Sequence, residues 1–526
     1  MQDVNEIRDQ FSTFKGKPFR PGQAEAICHV LESNRKAIII SAPTGSGKSL
    51  IGMVSGAPHG CTGYLCSSKQ LQAQLIHDFP EARYMWGRSN FTCNQDPNRT
   101  ADLCLHSQTT PCSLKSQCEY EGHKRSVLQH QFQILNYSYF LTESNYVGKF
   151  SNYPFVVCDE ADVLESLLTG FIELRLSRSR LDSLKLAPPR YRTSTAKDGL
   201  SSWRQWVEKE SKAKIFCRMS ELQGYIGELS PGMELTPEDC QKVKEYKSLE
   251  GLGNKLAMFE KHMDDSWIYQ EQQTNGRVDA WIFQPTWLTP ELAQEYFWRH
   301  GEKFLLMSAT FPPKPVLAEM LGLPVGDLDY VEIPSTFPVS NRPVILDPAA
   351  DMSFKTFEDE LPKLLDRIEK IIDKHRGEKG LIHTCSWRLN EAIMRLGNPR
   401  MITHNSHDKE SYLEAFRQSK DGIFVSPSSM RGVDLPDDLC RFIVIAKAPF
   451  ESLADKLVSA RVYGSGLGAF WYRAVCAQYI VQASGRGVRH HHDHCITYLL
   501  DKQIERLVVD NQLLFPRYWM EALDYA

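Results

Sequence analysis

The chain has 526 residues, a formal net charge of −4 at neutral pH, 42% hydrophobic residues and 14 cysteines. That length allows several domains with substantial cores, and the near-neutral balance excludes a global basic field, so any polyanion site is a local groove. No apolar run approaches a membrane span, and Met1-Gln2-Asp3-Val4-Asn5-Glu6 is polar rather than signal-like, so a soluble intracellular protein with reduced or metal-bound cysteines is expected.

Phe19-Arg20-Pro21-Gly22-Gln23 opens a predicted helix from Ala24 to Leu31, where Gln23 can offer its amide to an adenine edge. The apolar run Ala37-Ile38-Ile39-Ile40 then enters Ser41-Ala42-Pro43-Thr44-Gly45-Ser46-Gly47-Lys48-Ser49. Strand, Gly-rich loop, Lys-Ser and helix start make a P-loop. Its glycines turn backbone N–H groups onto phosphates at a helix N-terminus. Lys48 reaches the β and γ phosphates, and the Ser49 hydroxyl ligates Mg²⁺. A second strand, Gly63-Tyr64-Leu65-Cys66, ends in Ser67-Ser68-Lys69-Gln70 before a predicted helix from Leu71 to Phe79. Hydroxyls and a lysine at a strand's carboxyl end suit a nucleic-acid phosphate backbone, and either serine can also cap the helix.

Cys93, Cys104, Cys112 and Cys118 follow in a polar segment spaced C-x10-C-x7-C-x5-C. Such a segment cannot bury a core of its own, so a metal staple is a physical need. Four thiolates suit either a [4Fe–4S] cluster or Zn²⁺, and the lack of close C-x2–4-C pairs favours iron–sulfur. His106 and His123 lie nearby as substitute ligands or, more simply, solvated loop residues. A helix is predicted from Lys124 through Gln133 into Ile134-Leu135-Asn136-Tyr137-Ser138-Tyr139. The run Phe155-Val156-Val157-Cys158-Asp159-Glu160-Ala161-Asp162 is a buried strand ending in carboxylates, with Asp159 placed for Mg²⁺ and Glu160 for the attacking water.

From Leu164 to Ile282 charged helical segments form an expected separate module, in which Trp203, Trp206, Trp267 and Trp281 serve as core rather than as stacking platforms. The core resumes with Phe304-Leu305-Leu306-Met307-Ser308-Ala309-Thr310. A second α/β domain begins near Asn341-Arg342-Pro343, with a helix from Phe357 to His375 and strands at 380–386, 422–426 and 442–445, the first ending at Trp387. The segment Gln478 to Arg489 is predicted to set Gln482, Arg486 and Arg489 along a helix, the two arginines sharing a face as a γ-phosphate clamp requires.

In order, Gln23, the P-loop, Ser67-Ser68-Lys69, Asp159-Glu160-Ala161-Asp162, Ser308-Ala309-Thr310, Arg431-Gly432-Val433-Asp434 and Gln482-x2-Gly485-Arg486-x2-Arg489 resemble motifs Q, I, Ia, II, III, V and VI of superfamily 2 helicases. The four-cysteine insert between Ia and II and the second insert between II and III are similar to those of the XPD/DinG iron–sulfur helicases. Arg88-Ser89-Asn90-Phe91-Thr92-Cys93 and Asn136-Tyr137 resemble further elements of that family. The cysteine spacing is more compact and the arch shorter than is usual there, and Asp162 completes a DEAD rather than a DEAH box.

The resemblance implies an α/β fold of two RecA-like parallel-sheet domains, with a small Cys-rich metal-cluster insert and a helical arch insert in the first. It divides the chain into domain 1 (1–85, 124–163 and 284–335), the cluster insert (86–123), the arch (164–283) and domain 2 (336–526). It implies catalysis by Lys48, Asp159, Glu160, Gln482, Arg486 and Arg489, and ATP binding by Arg20, Gln23, Thr44, Gly45, Ser46, Gly47, Lys48, Ser49 and Asp434. It also implies Mg²⁺ at Ser49 and Asp159, a [4Fe–4S] cluster on the four cysteines, and DNA contacts from Ser67, Ser68, Lys69, Asn136, Tyr137, Trp387 and Ser428. The expected partner is single-stranded and forked DNA, worked on by a cytoplasmic or nuclear monomer moving 5′ to 3′. A nucleic-acid-stimulated ATPase that remodels complexes without separating strands shares every motif.

Overall fold

The computed structural model describes residues 3–526 apart from 95, 105–111, 113, 190–195, 230–234, 275, 406–407, 428–434 and 465. Two seven-stranded parallel sheets organise it. The first is built from β1 (Ala37–Ser41), β2 (Thr62–Cys66), β3 (Arg83–Tyr84), β4 (Phe132–Asn136), β5 (Tyr153–Asp159), β6 (Gly301–Ser308) and β7 (Leu328–Glu332), in the order β7-β1-β6-β5-β2-β4-β3. Its central strands are near-continuous apolar runs because both faces are covered, as parallel sheets require. Alternate residues divide between the faces: Ile39, Leu65, Val156 and Leu306 enter one cluster, Ile38, Tyr64, Val157 and Leu305 the other. The register pairs Ser41 with Ser308 and Met307 with Asp159, so the ends of β1, β6 and β5 lie side by side at the carboxyl edge.

The second sheet comprises β8 (Val344–Ala350), β9 (Gly380–His383), β10 (Met401–Thr403), β11 (Ile423–Ser426), β12 (Phe442–Ile445), β13 (Ile496–Asp501) and β14 (Leu523–Tyr525), in the order β10-β11-β9-β12-β13-β8-β14. The two sheets meet through an apolar joint in which Val316 and Met320, on the helix Lys314–Met320, pack with Val458 and Trp471. Among the described residues no helix is long and apolar enough to cross a membrane.

Two sequence expectations are corrected. The helix expected through Gln133 is instead a helix Glu119–Leu128, then β4, then a short helix Tyr137–Thr142. The run Phe132-Gln133-Ile134-Leu135 is too short for its period to decide, and the gap between β2 and β3 selects the strand. The second insert is not purely helical. Beside Ala196–Trp206, Lys212–Glu228 and Pro237–His262 it carries a three-stranded antiparallel sheet of Leu174–Ser177, Arg277–Pro285 and Trp267–Thr274. Polar outward residues such as Gln270, Gln272 and Gln273 hide that strand pattern in the sequence.

The four tryptophans of this insert are buried, in agreement with their reading as core. Trp203 is fully covered, with its ring 5.1 Å from those of Trp206 and Phe283 and 5.5 Å from Trp281. Replacing Trp203 with Ala is expected to destabilise the insert by about 3–5 kcal/mol. Limited proteolysis within 164–285 against urea would show the earlier opening, and unchanged protection would refute the core role.

Candidate active site at the interdomain cleft

The P-loop links β1 to the helix Lys48–Gly56. Gly45 and Gly47 hold φ of +80° and +78°, the left-handed region that glycine enters without steric cost. A Cβ on Gly47 would sit 2.3 Å from the Gln23 amide nitrogen, and one on Gly45 would sit 2.5 Å from the Phe337 ring. Lys48 donates to the carbonyl oxygens of Ala42 (3.0 Å) and Pro43 (3.3 Å), bonds that hold the loop open for phosphate. Burial lowers the Lys48 pKa, opposed by Asp159 and Glu160.

Gln23 differs from its expected use. Its amide nitrogen donates to the carbonyl of Ser46 (2.8 Å) and more weakly to Gly47 (3.3 Å), while its oxygen accepts from the Arg20 backbone (2.8 Å). The Arg20 guanidinium donates to the Gly45 carbonyl. Both residues therefore brace the P-loop backbone. Thr44 faces Gly485 of the second domain, Ser46 is buried and Ser49 is half-buried beside Tyr64.

Asp159 ends β5 and is buried, which raises its pKa against the pull of Lys48 and Tyr64. The Tyr64 hydroxyl donates to Asp159 Oδ2 (2.8 Å) and also reaches Ser49, so one phenol spans the two expected Mg²⁺ ligands. Sequence reading missed Tyr64; the signal was a phenol in a strand buried on both faces, whose hydroxyl needs a partner. Glu160 adopts φ +50° and accepts from the Ser67 hydroxyl.

Several expected DNA contacts are otherwise engaged. Ser67 meets Glu160, Ser68 caps the helix Lys69–Asp78 through Leu71, and Lys69 donates to Asn90 Oδ1 (2.9 Å). Asn136 caps the helix Tyr137–Thr142, and Tyr137 is buried with its hydroxyl on the Asp159 carbonyl (2.8 Å). Trp387 remains an exposed aromatic at the start of the helix Trp387–Met394. Ser428, Arg431, Gly432, Val433 and Asp434 lie outside the described residues.

The clamp arginines do not share a helix face. The helix Gly468–Ser484 stops before Gly485, and Arg486 and Arg489 lie on the segment beyond it. Arg489 faces the P-loop, its carbonyl 3.4 Å from where a Gly45 Cβ would stand. Its backbone N–H donates to the buried Asp493 (3.0 Å), and its guanidinium donates to the Gly485 carbonyl (3.2 Å). Arg486 instead lines a cavity of about 230 Å³ in the second domain with His383, Cys385 and Tyr479. Burial, with Arg486 nearby, pushes the His383 imidazole down to about 3. Gln482 crosses the cleft and donates to Asp162 Oδ2 (2.7 Å), whose Oδ1 accepts from Ser308 (2.7 Å). Gln478 crosses beside it to the Thr310 carbonyl (3.1 Å).

The four insert cysteines are half-buried, and among the described residues no three of them draw within 4.8 Å of one another. A tetrahedral Zn²⁺ with bonds of about 2.3 Å would hold its sulfurs closer than that. The insert's buried Phe91, Ala101 and Tyr120 are borrowed into the first domain's core. Arg99 is buried, with a guanidinium nitrogen 3.4 Å from Cys93 Sγ, a donor suited to a thiolate or to cluster sulfur. Asn94 donates to the Gln117 carbonyl (3.0 Å) and accepts from Glu119 N (3.2 Å), tying the first cysteine's hairpin to the last cysteine's turn. His123 is engaged in the fold, 2.7 Å from the Tyr84 carbonyl, and His106 lies outside the described residues.

A P-loop and a DEAD box on one domain thus face a Gln-Gly-Arg segment on a second parallel-sheet domain, the arrangement that the motif order leads one to expect. Residues 368–521 match the helicase C-terminal domain family. A 142-residue stretch is 25% identical to the ATP-dependent DNA helicase CHL1 of Saccharomyces cerevisiae, a match spanning 23% of this chain and 16% of the yeast protein. Among solved structures an XPD helicase superposes over 100% of both chains (TM-score 0.61, 16% identity). Apo XPD covers 96% of this chain and 99% of its own (0.60, 16%), and S. tokodaii Xpd4 covers 96% and 99% (0.56, 14%). The chain thus has the fold of the XPD helicases, and its last third matches a helicase C-terminal domain.

The Asp162–Gln482 bond predicts energetic coupling across the cleft. In a double-mutant cycle of Asp162→Asn and Gln482→Ala, Mg-ATP affinities should be non-additive by about 0.5–3 kcal/mol. Simple additivity would show the contact carries nothing.

Proposed function

We propose that the protein is an ATP-dependent helicase that translocates on single-stranded DNA, 5′ to 3′, and unwinds duplex. The observation that supports this most is the hydrogen-bonded line Ser308–Asp162–Gln482, which joins the hydrolysis machinery of one domain to the arginine segment of the other. Nucleotide phosphates take over Lys48 from the Ala42 and Pro43 carbonyls, while P-loop N–H groups bind the remaining oxygens. Ser49 and Asp159 would hold Mg²⁺, which neutralises developing phosphate charge. Glu160 orients the attacking water and releases Ser67 as it does so, a direct route from the hydrolytic carboxylate to the motif Ia loop. Arg489 answers the γ-phosphate from the facing domain, with Arg486 as the second candidate of the pair.

DNA as the track is supported by the stretch shared with the yeast DNA helicase and by the exposed Trp387, whose ring can stack a base. Cys93, Cys104, Cys112 and Cys118 would hold the [4Fe–4S] cluster, with Arg99 as an outer donor at Cys93, in an insert otherwise lacking its own core. The cluster supplies a rigid covalent centre for that insert. The domain limits stay as proposed from the sequence, and the protein is read as a monomer.

Three variants test this reading. Lys48→Ala should abolish ATP turnover, and Arg489→Ala should lower it by about 10³-fold or more while Mg-ATP binding persists. Turnover within tenfold of the parent, set against that range, would remove Arg489 from the reaction. Cys104→Ser should lose metal and strand displacement on forked DNA yet keep residual ATPase. Iron and zinc quantified on the same anaerobic sample decide the metal, with about four irons expected per chain. Stimulated ATPase without strand displacement in the parent would favour the complex-remodelling alternative.

A further inference from the structure

Arg461 is a cation buried at the boundary between the domains, 4% exposed, on the helix Lys456–Gly464. An isolated guanidinium in such a place is costly, and this one is satisfied wholly from across the boundary or within the joint. It forms a buried ion pair with Glu165, three residues after Asp162 and on the helix that leaves the DEAD box. Its Nε donates to the Thr286 carbonyl (2.7 Å), where the insert's last strand re-enters the first domain. Its guanidinium carbon lies 4.7 Å from the Trp287 centroid and 5.0 Å from that of Trp471, one indole from each side of the boundary, and the two rings themselves meet edge to face at 5.5 Å. Glu165 is fixed in turn by the Thr169 hydroxyl (3.0 Å). On the same helix Lys456 reaches the Tyr269 carbonyl (3.3 Å) of the insert's sheet, and Val458 packs with Val316 and Met320 beyond motif III.

We infer that Arg461 is the positioning residue of an interdomain pivot. It fixes the second domain to the helix behind the DEAD box and to the root of the arch, so that cleft closure is a rotation about this contact and carries the arch with it. The attachments follow motif II, motif III and the arch, and all of them are made by the one helix Lys456–Gly464, with Arg461 holding the first and the last. This inference rests on the motor reading above, but the pivot itself is a statement about distances and can be tested without turnover.

Lysine keeps the charge opposite Glu165 but lacks the planar fork that reaches Glu165 and the Thr286 carbonyl together. Arg461→Lys should therefore fold and still lose the pivot. The double variant Glu165→Gln with Arg461→Met removes both buried charges together and guards against misfolding of the single one. Spin labels on non-natural residues at 314 and 463 read the pivot, and labels at 77 and 395 read the relation of the domains far from it. In the parent the 314–463 distribution should be narrow and unmoved by a non-hydrolysable ATP analogue, while the 77–395 distance shifts. In both variants 314–463 should broaden even without nucleotide. DNA-stimulated kcat should fall about tenfold, within the usual range of coupling between sites, with KM for ATP little changed. A 314–463 distance that moves as far as 77–395 in the parent, or stays narrow in both variants, would overturn the pivot. A parent that neither hydrolyses ATP nor displaces strands defeats the motor reading, and the label distances still decide the pivot.

Discussion

One carboxylate holds the two halves of the site in relation. Asp162 accepts from Ser308 within its own domain and from Gln482 across the cleft. Because Asp159 and Glu160 stand three and two residues before it, any displacement of the second domain is felt beside both of these carboxylates. Around this point the charges oppose burial: Asp159 is raised and Lys48 lowered, each held toward its charged form by the other. A bound nucleotide with its metal would add charge of both signs to a site already balanced, and the least costly response is to bring the facing arginine closer.

The parallel sheet explains why residues separated by most of the chain meet here. The motif-bearing strands β1, β6 and β5 are neighbours in register, so the P-loop, Ser308 and Asp159 emerge at one edge despite the hundreds of residues inserted between them. The inserts are threaded where the fold tolerates them and repay the host differently. The cysteine segment contributes only a few residues to the first domain's core, whereas the larger insert extends that same core with a cluster of aromatics around Trp203.

Strong local chemistry was legible in the sequence. The P-loop, the carboxylate strand and the glutamine-arginine segment announced two α/β domains and their order, because phosphate capture needs particular residues at particular spacings. What escaped the sequence depends on tertiary choice. The run Phe132 to Asn136 became a strand because a sheet position awaited it. The strands of the second insert were masked by their charged outer faces. Gln23 and Ser67 have the residue type their motifs predict, yet their polar atoms, like the Tyr137 hydroxyl, are spent within the fold, on the P-loop, Glu160 and the Asp159 carbonyl respectively. Phe337 and Arg461 could not be read at all, since a linker ring and an arginine on an ordinary helix gain meaning only from what lies opposite, and Tyr64 signalled only that a buried phenol needs some partner.

Phe337 carries one more implication. Its ring rests against Gly45 while its packing belongs to the second domain's core, edge-on to His491 at 5.8 Å. One connector ring thus touches the P-loop of the first domain and the packed interior of the second, so the domains cannot part at this point without uncovering a buried aromatic face.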